Sequence, residues 1–445
     1  MEAHANSVDD VLVGPLSYKL KNSANYVVGR RSVTFHPSGS NVYKTSSGTK
    51  VCKLVLTGDA WLVPETVRLM FTLKNNASAG EFVRPLGGPG SFFRRMRVLC
   101  GGQVVEDFDY ARTEAMVHIL HSEAQRSNDD IEGFGYRWDD LSNGGVATTS
   151  SLPGVDGDSH IRVSFRPLCG LFSQPKWLPI RYCPITIELE LVNQSTDAVV
   201  APVAGTNFEA ANTSTDWQLE DVALKADLCT LDNAVDNQIA DHLLSGKALP
   251  INYQTYISQS QVISGASPSV NVSRAVSRLS IVYLSFEPPA TFYSQAARPR
   301  AKAWNTFYHP MAFGVAENSK VAHSPAKELE FQLQIGSKLF PEYPVQGLSE
   351  AFAQLRKTVK DGRSDFHGLS LTAQQYRKDH FIAALQTSKV SEAGFTGLNT
   401  RSGDLMTIKV KGAGIPDAEM PSAMHVVLES DQILEIRDTG VQVFD

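Results

Sequence analysis

The chain has 445 residues, too many for one ordinary hydrophobic core, and this length fits two β domains of roughly 200 residues or three smaller domains. Its formal net charge of −6 argues against a protein that neutralises nucleic acid over its whole surface, although a local basic patch stays open. Five widely spaced cysteines without a Cys-x-x-Cys pair disfavour a disulfide scaffold or a zinc ribbon and indicate reduced thiols. We expect no secretory signal, because the N-terminal residues have neither a basic start nor an apolar run, and no transmembrane segment, because no apolar run reaches roughly 18 residues.

Short strand patterns separated by turns dominate the first half of the chain. Residues 1–30 are polar and weakly periodic, and we interpret them as an N-terminal arm. Strand patterns follow as far as Phe92–Cys100, where a Gly-Gly pair predicts a hairpin turn into Gln103–Phe108. Apolar residues at helical spacing predict a helix over Ala111–Ala124, capped by an aspartate two residues earlier. The Gly-, Asp- and Ser-rich residues 126–160 predict a long surface loop.

The middle of the chain combines its clearest strand pattern with a change of period. Ile185–Leu191 alternates strictly between apolar and polar residues, which predicts a half-buried strand. Trp217–Leu228 predicts another strand, and beyond it an apolar residue recurs at every fourth position, which predicts a helix. The helix residues are Leu231, Val235, Ile239 and Leu243, with Asp232 as the cap and Gly246 as the stop. We predict that this helix packs between two β domains and fixes their relative angle.

The second half repeats the plan of strands, turns and short helices. Residues 287–326 predict a long loop that is rich in aromatic residues and contains a Pro-Pro pair. Leu348–Val359 predicts an amphipathic helix, and Thr372 begins a capping-box pattern for a second, shorter helix. The predicted strands are Ser277–Phe286, Glu328–Ile335, Phe381–Gln386, Leu405–Lys411, Met424–Leu428, Ile433–Ile436 and Val441–Phe444.

The matching order of elements in the two halves indicates two similar domains. We predict an all-β fold of two consecutive eight-stranded jelly rolls, a double jelly roll, with short helices in the connecting loops. The predicted boundaries are an N-terminal arm at 1–30, a first jelly roll at 31–230, a linking helix at 231–250 and a second jelly roll at 251–445.

Side chains that could carry chemistry are few. Glu114, His118 and His121 lie near one face of the predicted helix and could bind zinc, but we favour a solvated flank beside an apolar stripe. Paired acids could hydrolyse a glycosidic bond or bind calcium, but we favour a solvated loop because no ligand pattern accompanies them. These pairs are Asp129 with Asp130, Asp139 with Asp140, and Asp156 with Asp158.

Two basic segments could bind anions or nucleic acid. Arg94, Arg95 and Arg97 lie on one predicted strand, where they could form a subunit contact or an anion site, and we favour charges that protect a strand edge from aggregation. The aromatic and basic loop Thr291–His309 could stack on nucleobases, and we favour a packed or inter-subunit loop. No nucleotide-binding, hydrolase or metalloprotease motif is present, so we assign no catalytic, cofactor-binding or metal-binding residues.

Four segments resemble the double jelly-roll major capsid proteins of viruses. Those of polinton-like viruses and virophages are the most similar, and those of large eukaryotic DNA viruses are more distant. The resemblance rests on the order and spacing of the four segments over nearly the whole chain, while the loops 126–160 and 287–326 depart from it. The segments are Gly101–Tyr110, Pro167–Leu191, Leu219–Leu244 and Gly394–Arg401.

The resemblance implies a structural protein and not an enzyme. Such a protein would homotrimerise into pseudo-hexagonal capsomers, build an icosahedral shell and reside in the virion after assembly inside the host cell. Its partners would be its own copies, neighbouring capsomers, and minor capsid and penton proteins, without direct sequence-specific contact to nucleic acid. Two alternatives stay open: a two-domain jelly-roll enzyme acting on glycans, which needs acids converging between the domains, and a carbohydrate-binding protein.

Overall fold

The computed structural model describes residues 26–135, 154–202, 210–288, 307–310, 329–359, 369–378, 380–390, 395–401, 405–413 and 420–445. Within these ranges the chain forms two β-rich halves, and each half contains two antiparallel sheets. This arrangement confirms the predicted double jelly roll with short helices between strands.

The first half contains one large and one small sheet. The large sheet has the order β8-β5-β11-β4-β9, with β1 and β2 also paired to β11, and the small sheet has the order β3-β10-β6-β7. The strands are β1 (Val27–Phe35), β2 (Val42–Tyr43), β3 (Val51–Leu56), β4 (Trp61–Leu62), β5 (Arg68–Asn75), β6 (Phe93–Cys100), β7 (Gln103–Asp109), β8 (His160–Phe165), β9 (Leu178–Pro179), β10 (Ile185–Leu191) and β11 (Trp217–Leu231).

The second half is built in the same way. One sheet has the order β12-β19-β14-β17, with β20 paired to β19, and the other has the order β13-β18-β15-β16. The strands are β12 (Leu249–Val262), β13 (Ser269–Val272), β14 (Leu279–Glu287), β15 (Glu330–Ile335), β16 (Lys338–Gln346), β17 (Ala383–Gln386), β18 (Met406–Lys411), β19 (Ala423–Arg437) and β20 (Gly440–Phe444).

Short helices connect the strands, and their ends follow the capping residues. Asp232 accepts a hydrogen bond from the Ala234 amide at the start of α4, and Gly246 follows its end with φ of +79°, as predicted. Thr372 and Gln375 form the predicted capping box of α6. The helices are α1 (Tyr110–Leu120), α2 (Glu123–Glu132), α3 (Gly170–Ser173), α4 (Asn233–Leu244), α5 (Gly347–Thr358) and α6 (Ala373–Lys378).

The predicted end of the helix over Ala111–Ala124 is wrong, and the prediction of a loop at 126–160 is wrong for its first residues. His121 has an extended backbone that terminates α1. Ser122 then caps a second helix by accepting a hydrogen bond from the Gln125 amide at 3.2 Å. The resulting α2 occupies the first residues of the predicted loop, and residues 136–153 lie outside the described ranges.

Several strands differ from the sequence prediction; for example, β13 and β16 were not predicted, and β11 includes Leu231, which was assigned to the linking helix. β1 begins at Val27 and so includes residues assigned to the N-terminal arm, because it pairs with β11 along its length. β12 was not predicted, although its fourteen residues pair continuously with β19. β19 is one strand where two were predicted, since its central polar residues Ser430, Asp431 and Gln432 are buried and pair without a break with β12.

Each half has its own hydrophobic core, but the two cores exchange residues. The first core takes Ile251 and Tyr253 of β12 and Leu434 of β19 from the second half. The second core takes Met116 and Ile119 of α1 from the first half. The halves are therefore joined by shared packing and not only by the connecting chain.

The linking helix α4 does not pack as predicted. Leu243 is buried with 2% of its surface exposed, but Val235 and Ile239 are only half-buried. An ion pair between Arg181 and Asp236, with a nitrogen–oxygen distance of 3.4 Å, adds an exposed contact to the first half. The helix therefore follows the surface of the molecule, and other elements fix the angle between the halves.

Candidate functional site at the junction of the two rolls

The two halves meet where β7, α1 and α3 of the first contact β12, β14 and β20 of the second, and we call this contact the junction. The Tyr253 hydroxyl oxygen lies 3.3 Å from the Val105 carbonyl oxygen across it. The rings of Phe108 and Tyr256 lie edge to face with centroids 6.1 Å apart. Apolar packing and direct hydrogen bonds thus hold the rolls in one relative position.

A buried carboxyl group, Glu106 of β7, organises the first side of the junction. It accepts hydrogen bonds from the amides of Gly170 and Leu171 at 3.1 and 2.7 Å, and from the Cys169 thiol at 3.4 Å. Burial raises the pKa of Glu106 to about 7, although these hydrogen bonds oppose the shift. The carboxyl group therefore fixes the start of α3 against the second roll.

Close backbone contact explains the glycine at the start of α3. A side chain on Gly170 would place its Cβ 1.6 Å from the carbonyl oxygen of Gln254 in β12. No side chain fits at such a distance, so α3 and β12 approach as closely as they do only because this residue is glycine.

Helix α1 crosses from the first roll onto the second. Its buried Arg112 donates hydrogen bonds to the Ser285 hydroxyl at 3.1 Å and the Phe286 carbonyl at 3.2 Å, both on β14. The guanidinium also lies over the ring of Phe307, 4.7 Å from its centroid. α1 therefore contributes both a charge and apolar side chains to the second roll.

A small polar cavity lies between α1 and the sheet of the second roll. Its volume is about 160 Å³, below the roughly 300 Å³ at which pockets hold drug-sized ligands. Burial raises the pKa of Asp109 to about 6, and burial together with the nearby Arg112 charge lowers the pKa of His425 to about 4. The cavity is lined by Asp109, Arg112, Thr113, Ser258, Gln259, Ser260, His425 and Val427.

The chemistry of this cavity differs from that of a glycan-cleaving site. Glycoside hydrolysis uses two carboxyl groups across the scissile bond, and Asp109 is the one carboxyl group among the lining residues. His425 donates through Nε2 to Glu287 at 2.6 Å, because a carboxylate only accepts. The converging acids that the glycan-enzyme alternative requires are therefore not brought together here.

The structure separates Glu114 from the other two predicted zinc candidates, His118 and His121. Glu114 lies against the Pro89–Phe92 turn, where a Cβ on Gly90 would meet its side chain. His118 has 3% of its surface exposed, so the interpretation as a solvated flank is wrong for this residue. His118 and His121 instead both contact Asp129 of α2. Sequence spacing could not reveal this group, because it depends on the break between α1 and α2.

The paired acids do not form one site within the described ranges. Asp129 contacts histidines on α1, while Asp156 accepts hydrogen bonds from the backbone amides of Gly80 and Gly157 at 2.8 and 2.7 Å. Asp156 thus stabilises a turn. The pair Asp139 and Asp140 lies outside the described ranges.

The three arginines of β6 form a charge network in the middle of a sheet. β6 lies between β10 and β7, so the prediction that these charges protect a strand edge is wrong. Arg94 pairs with Glu190 at 2.5 Å, and Arg95 and Arg97 both pair with Asp107, at 2.5 and 3.6 Å. Each pair is half-exposed, and we expect it to add under about 1 kcal/mol.

Only the end of the aromatic loop Thr291–His309 falls within the described ranges. Phe307 and Tyr308 are fully buried in the second core, and His309 has 7% of its surface exposed. This end is therefore packed against the roll. The other residues of the loop lie outside the described ranges.

The junction residues were not identified from sequence, although one signal was present. Period-2 alternation in β7 places Glu106 on the same face as Phe108, which indicates a buried acid. Arg112 carries no comparable signal, because a charged residue in the first turn of a helix is ordinary. Its partners come from a strand far along the chain.

Comparison with solved structures relates this arrangement to known folds. No protein-family model and no curated protein matches the sequence. The structure is similar to VP54 of PBCV-1 with 12% identity and a TM-score of 0.60, covering 96% of this chain and 99% of that one. It is similar to the Faustovirus major capsid protein with 10% identity and a TM-score of 0.54, covering 96% and 94%. It is also similar to a chain of the Sputnik virophage structure, with 10% identity and a TM-score of 0.54, covering 97% of this chain and 91% of that one.

The fold is the double jelly roll of viral major capsid proteins. The match spans both rolls of this double jelly roll and nearly the full length of each compared chain. All five cysteines of the chain are buried, and none forms a disulfide in this structure. Within the described ranges, the double jelly roll contains no helix long and apolar enough to cross a bilayer.

Proposed function

We propose that this chain is a viral major capsid protein that forms homotrimeric capsomers and builds an icosahedral shell. The observation that carries the proposal is the likeness to VP54 of PBCV-1 and to the Faustovirus major capsid protein across both rolls. At identities of 10–12% this likeness concerns the fold, and function follows only by analogy.

The physical properties of the junction support a role in assembly. A trimer of chains with two similar rolls presents six similar units around one axis, which gives a pseudo-hexagonal outline. Such a unit needs a fixed angle between the rolls of each chain. Exchanged core residues, the Glu106 anchor and the close contact at Gly170 supply that rigidity.

We further propose that the protein resides in the virion and is assembled inside the host cell. Five buried thiols without a disulfide suit a reducing compartment. Its partners would be other copies of the chain, neighbouring capsomers, and minor capsid and penton proteins. In this proposal the chain keeps the predicted division at 31–230, 231–250 and 251–445, except that β1 extends the first roll to Val27 and β12 begins the second at Leu249.

Light scattering and electron microscopy of the purified chain test this proposal. We expect a particle of three times the 48.6 kDa chain mass that persists on dilution to micromolar concentration, with a pseudo-hexagonal outline in micrographs. Co-expression with candidate minor capsid proteins should then produce closed shells. A chain that stays monomeric at micromolar concentration would contradict the proposal.

The carbohydrate alternatives predict different results in the same preparation. A glycan-acting enzyme would release sugars from a glycan panel, and the loss of that activity in an Asp109→Asn variant would locate it in the junction cavity. A carbohydrate-binding protein would retain a glycan without cleaving it. We expect neither result, because the cavity is small and its lining contains a single carboxyl group.

A further inference from the structure

The corner between α1 and α2 brings together three side chains with metal-binding atoms. His118 lies in the last turn of α1, His121 caps the end of that helix, and Asp129 lies on α2. The Asp129 Oδ2 atom is 3.4 Å from the His118 Nδ1 atom and 3.1 Å from the His121 Nδ1 atom. All three ligand atoms lie within 4.8 Å of one another.

We propose that His118, His121 and Asp129 bind a zinc ion that clamps the corner between α1 and α2. Bond lengths of about 2.0–2.1 Å to nitrogen and oxygen place neighbouring ligands of a tetrahedral zinc about 3.3 Å apart. The two histidine–aspartate distances already match this spacing. The distance between the two histidine nitrogens is at most 4.8 Å, and the His121 side chain is 38% exposed, so its ring has room to adjust.

The chemistry of the three side chains favours zinc over calcium or magnesium. Two imidazole nitrogens and one carboxylate oxygen form a ligand set typical of zinc, whereas calcium and magnesium prefer oxygen ligands alone. The exposed side of His121 leaves the fourth position to water. Gln125 donates to the second carboxylate oxygen of Asp129 at 2.9 Å and so orients the carboxylate.

The Asp129 carboxylate is ionised and ready to bind a cation. Burial alone would raise its pKa, but hydrogen bonds from His118, His121 and Gln125 outweigh burial and hold the pKa below its ordinary value. A zinc ion would take the place of the ring hydrogens that the two histidines direct at this oxygen, and each ring would then carry its hydrogen on Nε2.

A clamp at this corner would also stabilise contact with the second roll. Ser122 forms a backbone bridge with Leu369, and Arg126 donates to the Ser370 carbonyl at 3.0 Å. Both residues lie on the corner that the zinc would hold. Zinc binding would therefore strengthen the attachment of α1 and α2 to the second roll, whether or not the chain forms shells.

Calorimetric titration of the chelator-treated, full-length chain with zinc chloride tests the proposal. We expect one zinc ion per chain and a rise of a few degrees in the midpoint of thermal unfolding at saturating zinc. Cobalt(II) in place of zinc should give the visible absorption of a tetrahedral site.

Variants of His121 and Asp129 distinguish zinc bound at this site from zinc bound elsewhere on the chain. We expect His121→Asn and Asp129→Asn to remove both the bound zinc and the thermal shift. His36→Asn should retain them, because His36 is exposed and lies on another part of the first roll. Circular dichroism shows whether each variant is folded. Two outcomes would overturn the proposal: no saturable binding below millimolar zinc, or binding that persists in folded His121→Asn. The second outcome would point to the cysteines as the zinc ligands.

Discussion

Glu106 shows how one residue can make the junction sensitive to pH. Its carboxyl group is enclosed by protein, and its hydrogen bonds come from two amides and a thiol. Burial raises the pKa of Glu106 to about 7 from its ordinary value of 4.5. The folded chain thus holds a proton at this group over a pH range where the unfolded chain releases it.

The sign of this shift predicts a loss of stability as pH rises. The proton on Glu106 stabilises the folded state fully below pH 4.5, and this contribution declines until the pH passes about 7. The largest change is about 3 kcal/mol. We therefore expect Glu106→Gln, whose amide does not titrate, to flatten the pH dependence of unfolding between these values. Urea unfolding at a series of pH values measures the effect.

A second glutamate provides the control for this measurement. Glu342 on β16 is exposed, so Glu342→Gln should leave the wild-type pH dependence unchanged. We expect the stability difference between Glu106→Gln and the wild type to be smaller at pH 8 than at pH 5, because the wild type carries a buried charge at the higher pH. An unchanged pH profile in Glu106→Gln would show that the carboxyl group does not couple protonation to folding.

At the scale of elements, α4 contributes less to the junction than its apolar stripe predicted. Leu243→Asp should destabilise the chain by about 3 kcal/mol or more, because it places a charge at a buried position. Val235→Asp should cost under about 1 kcal/mol, since this half-buried position lies in the first turn, where the helix dipole favours an acid. Denaturant unfolding measures the loss of unfolding free energy in each variant. Equal losses would show that Val235 and Leu243 are packed to the same extent, as the sequence predicted.

The α3–β12 contact gives a sharper test of the junction. Gly170→Ala would place Cβ 1.6 Å from a backbone oxygen, so α3 or β12 must move. We expect a loss of about 3 kcal/mol or more and fewer trimers in light scattering. Gly48→Ala is the matched control, because its Cβ meets nothing within 4 Å and its φ is not positive. Equal stability and assembly in the two variants would show that the junction tolerates movement.

Elements that are determined by their own residues could be predicted from the sequence, and elements that depend on distant partners could not. β10 was predicted with its observed ends because alternating burial follows directly from its alternating residues. β19 was predicted as two strands, with the polar residues Ser430, Asp431 and Gln432 left between them, yet these residues are buried. Asp431 accepts a hydrogen bond from the Phe395 amide and Gln432 accepts one from Tyr253. Partners so far away in sequence leave no local pattern.

At the scale of the whole molecule, the two rolls are joined by shared core packing as well as by the linker between them. The sequence predicted the number and kind of domains, since each half repeats the same order of elements. It did not predict that Met116 and Ile119, on the apolar face of α1, belong to the core of the other roll. The stripe is visible in the sequence, but the surface that covers it depends on how the rolls pack.

This exchange predicts that a substitution in the first roll's helix weakens the second roll. Ile119→Ala and Ile187→Ala remove the same atoms from positions with 1% and 2% exposure, in the second and first core respectively. Each should cost about 2–5 kcal/mol. Hydrogen exchange measures where protection is lost. We expect Ile119→Ala to reduce protection first in β14 and β15 of the second roll, and Ile187→Ala to reduce it first in β6 and β10 of the first. If Ile119→Ala instead affected the first roll alone, α1 would belong to that roll and the junction would be a simple surface contact.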